Sequence, residues 1–231
     1  MIEVKNLFVT LASGWRIRRA KTFSVKDVSF SLEQGYFMGL LGKNGSGKST
    51  LLRMLGGVLE PDYGAVYLRN EESLAVCSPD ETCYKQEVAY VEAENGMFRY
   101  GTVKEHIERQ SLFFPSFDNQ LLKEYLLRLD FSKRDLVNVG EHLSEGSQMK
   151  LKLACAMARQ PKLLLLDEPT ANMDPVVRVK LMELLQEQII KGTSIIMSSH
   201  IVSDIEDVMD FVGVMEQGRL VKFLNREEYY A

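Results

Sequence analysis

The chain has 231 residues, 45% of them hydrophobic, a formal net charge of −4 and three cysteines. That is enough apolar material to bury the core of one domain, and a small acidic excess gives no basic field for gripping nucleic acid. Cys77, Cys83 and Cys155 are an odd set without metal-ligand spacing, read as free thiols of a reducing compartment.

From the N-terminus, residues 2–7 alternate like a strand and lack the basic-then-apolar pattern of a signal peptide. Residues 11–23, with Arg16, Arg18, Arg19 and Lys21, read as a solvated hairpin leading to a strand at 26–32. The apolar run Phe37-Met38-Gly39-Leu40-Leu41 enters a glycine-rich turn, followed by a helix over 49–59 that Gly56-Gly57 ends. Residues 65–91 read as strand, loop and strand. From about 97 to 159 the pattern is helical, with Leu121, Leu122, Tyr125, Leu126 and Leu129 at helical spacing as core. A buried strand at 163–166, a helix at 175–190, a strand at 194–198, a helix at 202–209 and a hairpin around Gln217-Gly218 complete the chain. The longest apolar run, at 163–166, is far short of the ~20 residues that span a bilayer. Strands alternating with helices predict an α/β fold: a P-loop NTPase core with a mostly parallel sheet, an antiparallel N-terminal β region and one helical lobe. The expected organisation is a single domain over 1–231, its core formed by about 1–94 and 161–231 and its lobe by about 95–160.

Two motifs carry chemistry. Gly42, Lys43, Asn44, Gly45, Ser46, Gly47, Lys48, Ser49 and Thr50 fit the phosphate-cradling pattern G-x-x-x-x-G-K-[ST] between a strand and a helix. Its glycines let backbone N–H groups face a phosphate, and the helix adds its positive end. Lys48 is expected to reach the β- and γ-phosphates, and Ser49 to ligate Mg²⁺. The apolar strand at 163–166 ends in Asp167-Glu168-Pro169, which puts two carboxylates at the edge of the sheet where open α/β folds bind ligands. Asp167 is the second candidate Mg²⁺ holder, and Glu168 is placed to polarise an attacking water.

Further elements follow in a fixed order: Leu143-Ser144-Glu145-Gly146-Ser147 heading a helix, Ala171-Asn172-Met173-Asp174 after Thr170, and Ser198-Ser199-His200 at a strand end. With the acidic loop after Val88-Ala89-Tyr90-Val91, this ordered set resembles the ATPase subunits of ABC transporters over essentially the whole chain. The resemblance implies binding and hydrolysis of ATP with Mg²⁺, at a site shared by two cassettes packed head to tail. Ser144 and Gly146 would then serve the γ-phosphate in trans, Asp174 would shape the opposite site, and His200 would contact the γ-phosphate and the water. It also implies a partner cassette, identical or different, and a separate transmembrane permease subunit. The chain itself would be cytoplasmic, peripheral at the inner face of the membrane.

The sequence departs from the family pattern in three places. Glu145 and Ser147 stand where glycine and glutamine are usual. Ala93, flanked by Glu92 and Glu94, replaces the usual Q-loop glutamine, so a carboxylate, with Glu94 the candidate, would take the Mg²⁺ side of the site. Leu11 stands at the adenine-stacking position, leaving Phe8, Trp15 or Phe23 as substitutes. The segment Phe113-Phe114-Pro115-Ser116-Phe117-Asp118, with the compact helical lobe and Asp174-Pro175-Val176-Val177-Arg178, looks like bacterial exporters of peptides and antibiotics. Two other readings stay open: a soluble ABC ATPase acting on ribosomes or DNA, and a nucleotide-gated subunit that does not hydrolyse.

Overall fold

The structure, a computed structural model, describes residues 1–12, 22–69, 76–92, 101–171 and 173–231. At its centre β3 (Phe37–Leu41), β7 (Leu163–Asp167) and β8 (Ser194–Ser199) are buried along their whole lengths. Their near-continuous apolar runs suit parallel strands covered on both faces. Side chains two apart share a face of a strand. Met38, Leu40, Leu163, Leu165 and Ile196 therefore join one hydrophobic cluster, while Phe37, Leu41, Leu164, Leu166, Ile195 and Met197 join the other.

The central sheet has six strands in the order β10-β9-β3-β8-β7-β6, with β6 (Val88–Val91), β9 (Phe211–Glu216) and β10 (Arg219–Asn225). All neighbours are parallel except the β9/β10 hairpin. One face carries α1 (Lys48–Leu55) and a four-stranded antiparallel sheet of order β2-β1-β4-β5. Its strands are β1 (Ile2–Ala12), β2 (Thr22–Leu32), β4 (Tyr63–Arg69) and β5 (Val76–Cys77). The other face meets α5 (Glu145–Ala158) and α6 (Pro175–Ile190). From Met149 to Ala158 only Lys150 of α5 escapes burial, the signature of a helix enclosed on all sides.

The helical lobe comprises α3 (Val103–Phe113), α4 (Asn119–Arg128) and α5. Each starts on a side-chain cap: Thr102 in a reciprocal capping box with Glu105, Asp118 accepting from Gln120 and Leu121, and Ser144 accepting from Ser147. Two bonds from Arg128 to Glu187, at 2.7 and 2.8 Å, tie α4 to α6.

Several expectations need correction. Within 65–91 a short helix, α2 (Thr82–Glu87), precedes β6, fixed by the buried Tyr84, whose hydroxyl donates to Leu55 O at 2.5 Å. The segment 202–209 is a 3-10 turn at Val202–Asp204 and loose turns, not a helix. Asp204 there is taken by Thr170 and Arg178, and that tertiary pull overrides the apolar periodicity. Only Cys155 is a free cysteine, because Cys77 and Cys83 are joined in a disulfide. A five-residue α7 (Arg226–Tyr230) follows the last hairpin. The basic cluster with Trp15, and Ala93, Glu94, Phe98, Tyr100 and Asn172, lie outside the described residues.

Candidate active site

The glycine-rich turn leaves β3 at Gly42 and enters α1 through Gly47. Both glycines have positive φ, 153° and 110°, and Gly47 forms the left-handed N-cap of α1. A Cβ at Gly42 would collide with Met215 O, and one at Gly47 would press on the Phe23 ring at 3.0 Å. The β9/β10 turn buttresses the loop from behind: Gly218 N donates to Ser46 O at 2.9 Å, and Lys26 N donates to Gly218 O at 2.7 Å. Lys43, Asn44, Gly45 and Ser49 are exposed at the mouth, Thr50 is half-buried, and the buried Ser46 hydroxyl has no hydrogen-bond partner.

Lys48 is only 6% exposed, and its Nζ donates to Gly42 O at 2.7 Å and Lys43 O at 3.4 Å. The same ammonium lies 3.4 Å from Glu168 Oε1, while the second carboxylate oxygen, Oε2, is 2.8 Å from His200 Nδ1. An ionised Glu168 can only accept, so Nδ1 carries the hydrogen and Nε2 is the free ring nitrogen. Asp167 is 3% exposed at the end of β7. Ser198 of β8 stitches the two carboxylates in place, donating its hydroxyl to Asp167 Oδ1 at 2.7 Å and accepting from Glu168 N at 2.9 Å. Glu168 has φ 47°, the backbone bend that aims its side chain at Lys48 instead of continuing the strand. Chain segments more than a hundred residues apart therefore converge at one sheet edge.

A cavity of about 370 Å³ opens here, lined by Phe23, Asn44, Gly45, Gly47, Lys48, Ser49, Thr50 and Glu168. It combines a lysine, the backbone of a helix start and a carboxylate at its wall, a set suited to a nucleotide polyphosphate. Ser49 and Asp167 offer hard oxygens, the donor chemistry Mg²⁺ prefers. Phe23 lines this cavity and pairs across the strands with Leu11. Phe8 instead packs on Tyr63, with ring centroids 6.0 Å apart.

Other expected residues are elsewhere. Ser144 is exposed as the N-cap of α5, Gly146 is half-buried in its first turn, and neither lines the cavity. Asp174 caps α6, accepting from Val176 N at 2.9 Å, and is likewise absent from the cavity wall. Glu92 is held by Arg53 of α1, whose guanidinium donates to Glu92 Oε1 at 2.6 Å from Nε; that bond raises the arginine pKa.

A family model described as "ABC transporter" matches residues 25–171. The chain belongs to the ABC transporter family. It is an ATP-binding subunit of that family and carries its ATPase domain. The ABC transporter ATP-binding protein YtrB of Bacillus subtilis is 30% identical over 88% of this chain and 68% of its own length. The energy-coupling factor transporter ATP-binding protein EcfA2 of Streptococcus pneumoniae is 30% identical over 86% and 73%. Among solved structures, an ATP-binding subunit of an ABC transporter superposes with a TM-score of 0.79 at 25% identity, covering 99% of this chain and 93% of that one. A dimeric bacterial ABC transporter cassette shares the fold, with a TM-score of 0.80 at 21% identity over 98% of this chain and 99% of that one.

Proposed function

We propose that this ABC cassette drives a membrane transporter by Mg²⁺-dependent hydrolysis of ATP between two cassettes, at the cytoplasmic face. The observation that carries the chemistry is the row Lys48–Glu168–His200, an ammonium and an imidazole on the two oxygens of one carboxylate at the wall of the P-loop cavity. Residues 42–50 cradle the phosphates, with Lys48 moving its ammonium from the loop carbonyls toward the β- and γ-phosphates. Glu168 positions and deprotonates the water, and His200 holds that carboxylate through Nδ1–H; with Nε2 protonated as well, the imidazolium donates to the γ-phosphate. Ser49 and Asp167 hold Mg²⁺, which supplies charge neutralisation on the phosphate oxygens. Glu92 is occupied by Arg53, so Glu94 is the carboxylate we assign to the metal in place of the missing glutamine.

The lone chain offers one wall of the site. Ser144, Gly146 and Asp174 face solvent or half face it away from the cavity, which supports their use by a second cassette, identical or different. A cleft of about 290 Å³ between sheet and lobe, lined in part by Tyr90, Glu92, Phe114, Lys152 and Arg159, is where we dock the permease. No helix among the described residues is long and apolar enough to cross a membrane, so the pore is assigned to that partner. In this scheme the lobe, about 95–160, rotates against the core of about 1–94 and 161–231.

The narrower reading, an exporter of peptides or antibiotics, rests on residues 113–118 and 174–178 and on the compact helical lobe. Those residues do structural work here: Phe114 lies 3.5 Å under the Arg159 guanidinium, Ser116 Oγ donates to Arg159 O at 2.6 Å, and Asp118 caps α4. Relatives named as energy-coupling factor ATPases lend it no support either. The proposal therefore stops at the transporter motor.

The test is ATP turnover with and without Mg²⁺. Glu168→Gln should bind ATP normally and lose ~10²–10⁴-fold in rate, because an amide cannot take the proton. Turnover by this variant at the parent rate would remove Glu168 from the chemistry.

A further inference from the structure

Outside the ATP site, the Cys77–Cys83 pair has no role in hydrolysis. Cys77 ends β5, Cys83 lies in the first turn of α2, and their Cα atoms are 6.1 Å apart across a sequence separation of six. The intervening turn is fixed from within. Ser78 N donates to Glu81 Oε2 at 2.5 Å, and Glu81 N donates to Ser78 O at 3.0 Å. That fold-back brings the two sulfurs together, while β4 holds Cys77 through its pairing with Leu68 and Tyr84 anchors α2 on Leu55 O. Cys83 is exposed and Cys77 half-buried, so a solvent-borne reagent reaches Cys83 first. Cys155 is buried, and desolvation pushes its thiol up to about 12, which takes it out of the exchange.

What the pair holds is α2, and α2 touches two working parts of the molecule. Tyr84 is bonded to Leu55 O at the end of the P-loop helix, and Pro79 O lies 2.9 Å from where a Cβ of Gly57 would stand. At its other end, the backbone oxygens of Lys85 and Val88 accept from Arg159 NH2 at 2.7 and 2.8 Å. Arg159 in turn covers Phe114 in the cleft between sheet and lobe. The two cysteines thus fasten the helix that joins the P-loop helix to the wall of that cleft.

We propose that Cys77 and Cys83 are a reversible thiol–disulfide site, oxidised by a low-molecular-weight disulfide such as glutathione disulfide, that latches α2 and with it the cleft wall. The Cys83 thiolate attacks one sulfur of the small disulfide, forming a mixed disulfide and expelling one thiolate. The Cys77 thiolate then attacks the Cys83 sulfur, closing the protein disulfide and expelling the second thiolate. Two protein thiols are oxidised, one small disulfide is reduced to two thiols, and the protein's two protons go to the leaving thiolates. The regulatory meaning rests on the proposed working place at the cytoplasmic face, where disulfides are chiefly transient and sensing.

The experiment uses the whole chain and needs neither ATP turnover nor a permease, so its failure is separable from failure of the transporter reading. Reduced protein is incubated with excess glutathione disulfide, then examined by intact mass, thiol titration, thermal melting and amide hydrogen exchange. The parent chain should lose two hydrogens in mass without a glutathione adduct. The oxidised form should melt about 5 °C higher, as expected for a short covalent ring. Exchange over residues 78–91 should slow several-fold on oxidation and respond to neither redox state in a Cys77→Ser, Cys83→Ser double variant. Cys77→Ser alone should trap the glutathione adduct on Cys83. Persistent free thiols, a stable adduct on the parent chain, or identical exchange in both forms would overturn the proposal. So would stoichiometric Zn²⁺ capture by the reduced protein that blocks oxidation, since Glu81 offers a carboxylate oxygen within 4.8 Å of both sulfurs.

Discussion

In the proposed function, Lys48 is the residue on which nucleotide affinity depends most directly. Buried and bonded to two loop carbonyls, its ammonium is preorganised a short side-chain movement from a bound phosphate. A charge-assisted bond is worth ~1.5–3 kcal/mol, so Lys48→Ala should weaken ATP binding by roughly 10- to 150-fold in equilibrium titration. An unchanged affinity would mean that the phosphates lie elsewhere. Phe23 permits a cleaner test of the base. Stacking on an aromatic ring contributes ~1–3 kcal/mol, so Phe23→Ala should lower affinity about tenfold for ATP while leaving binding of inorganic triphosphate unaltered. Equal losses for both ligands would make Phe23 a support of Gly47 only. Local spacing alone singles out Lys48, Asp167 and Glu168, whereas only the pairing of strands places Phe23 opposite Leu11 at the cavity and Phe8 against Tyr63. The grip of Arg53 on Glu92 was also invisible, because nothing in the chain marks an arginine in α1 as the partner of a carboxylate 39 residues later.

At the scale of elements, the link between α4 and α6 sets how firmly the lobe is tied to the core. Hydrogen bonding to Arg128 holds the Glu187 carboxyl below its ordinary 4.5. A lowered folded-state value gives stability that is full above the unfolded value and lost as pH falls through the folded one. Glu187→Gln should therefore lower Tm by a degree or two at pH 7, a small effect because the pair is partly exposed. The gap between variant and parent should close as pH drops below about 4. A gap that stays constant to pH 2 would assign the cost to packing. Among the elements, β3, β7 and α6 were legible because each has strong local punctuation: a glycine turn, an acidic strand end, and Asp174-Pro175 as cap and first helical residue. The six-residue α2 was not, since it is too short to display a period and is held by Tyr84 and a disulfide. The apolar spacing over 202–209 misled for the converse reason. Asp204 is drawn to Thr170 and Arg178, and about two turns of helix have too few bonds to resist.

For the whole molecule, the proposed function makes this arrangement half of a site. The P-loop cavity is closed on one side by β3, α1 and Glu168, while the capped start of α5, with Ser144 and Gly146, belongs to a different part of the surface. Under the proposed function, the exposed N-terminus of the 14-residue α5 is the phosphate contact it offers to another copy. Glu168→Gln would hold that contact by keeping the γ-phosphate in place. The central claim, that ATP is hydrolysed between two cassettes, is tested most directly by sedimentation of the Glu168→Gln protein at high concentration with and without Mg-ATP. The account predicts a monomer without nucleotide and a dimer with it, reversed by Ser144→Arg, which blocks the helix start. A Glu168→Gln protein that binds Mg-ATP yet stays monomeric, alone and with its permease, would contradict it.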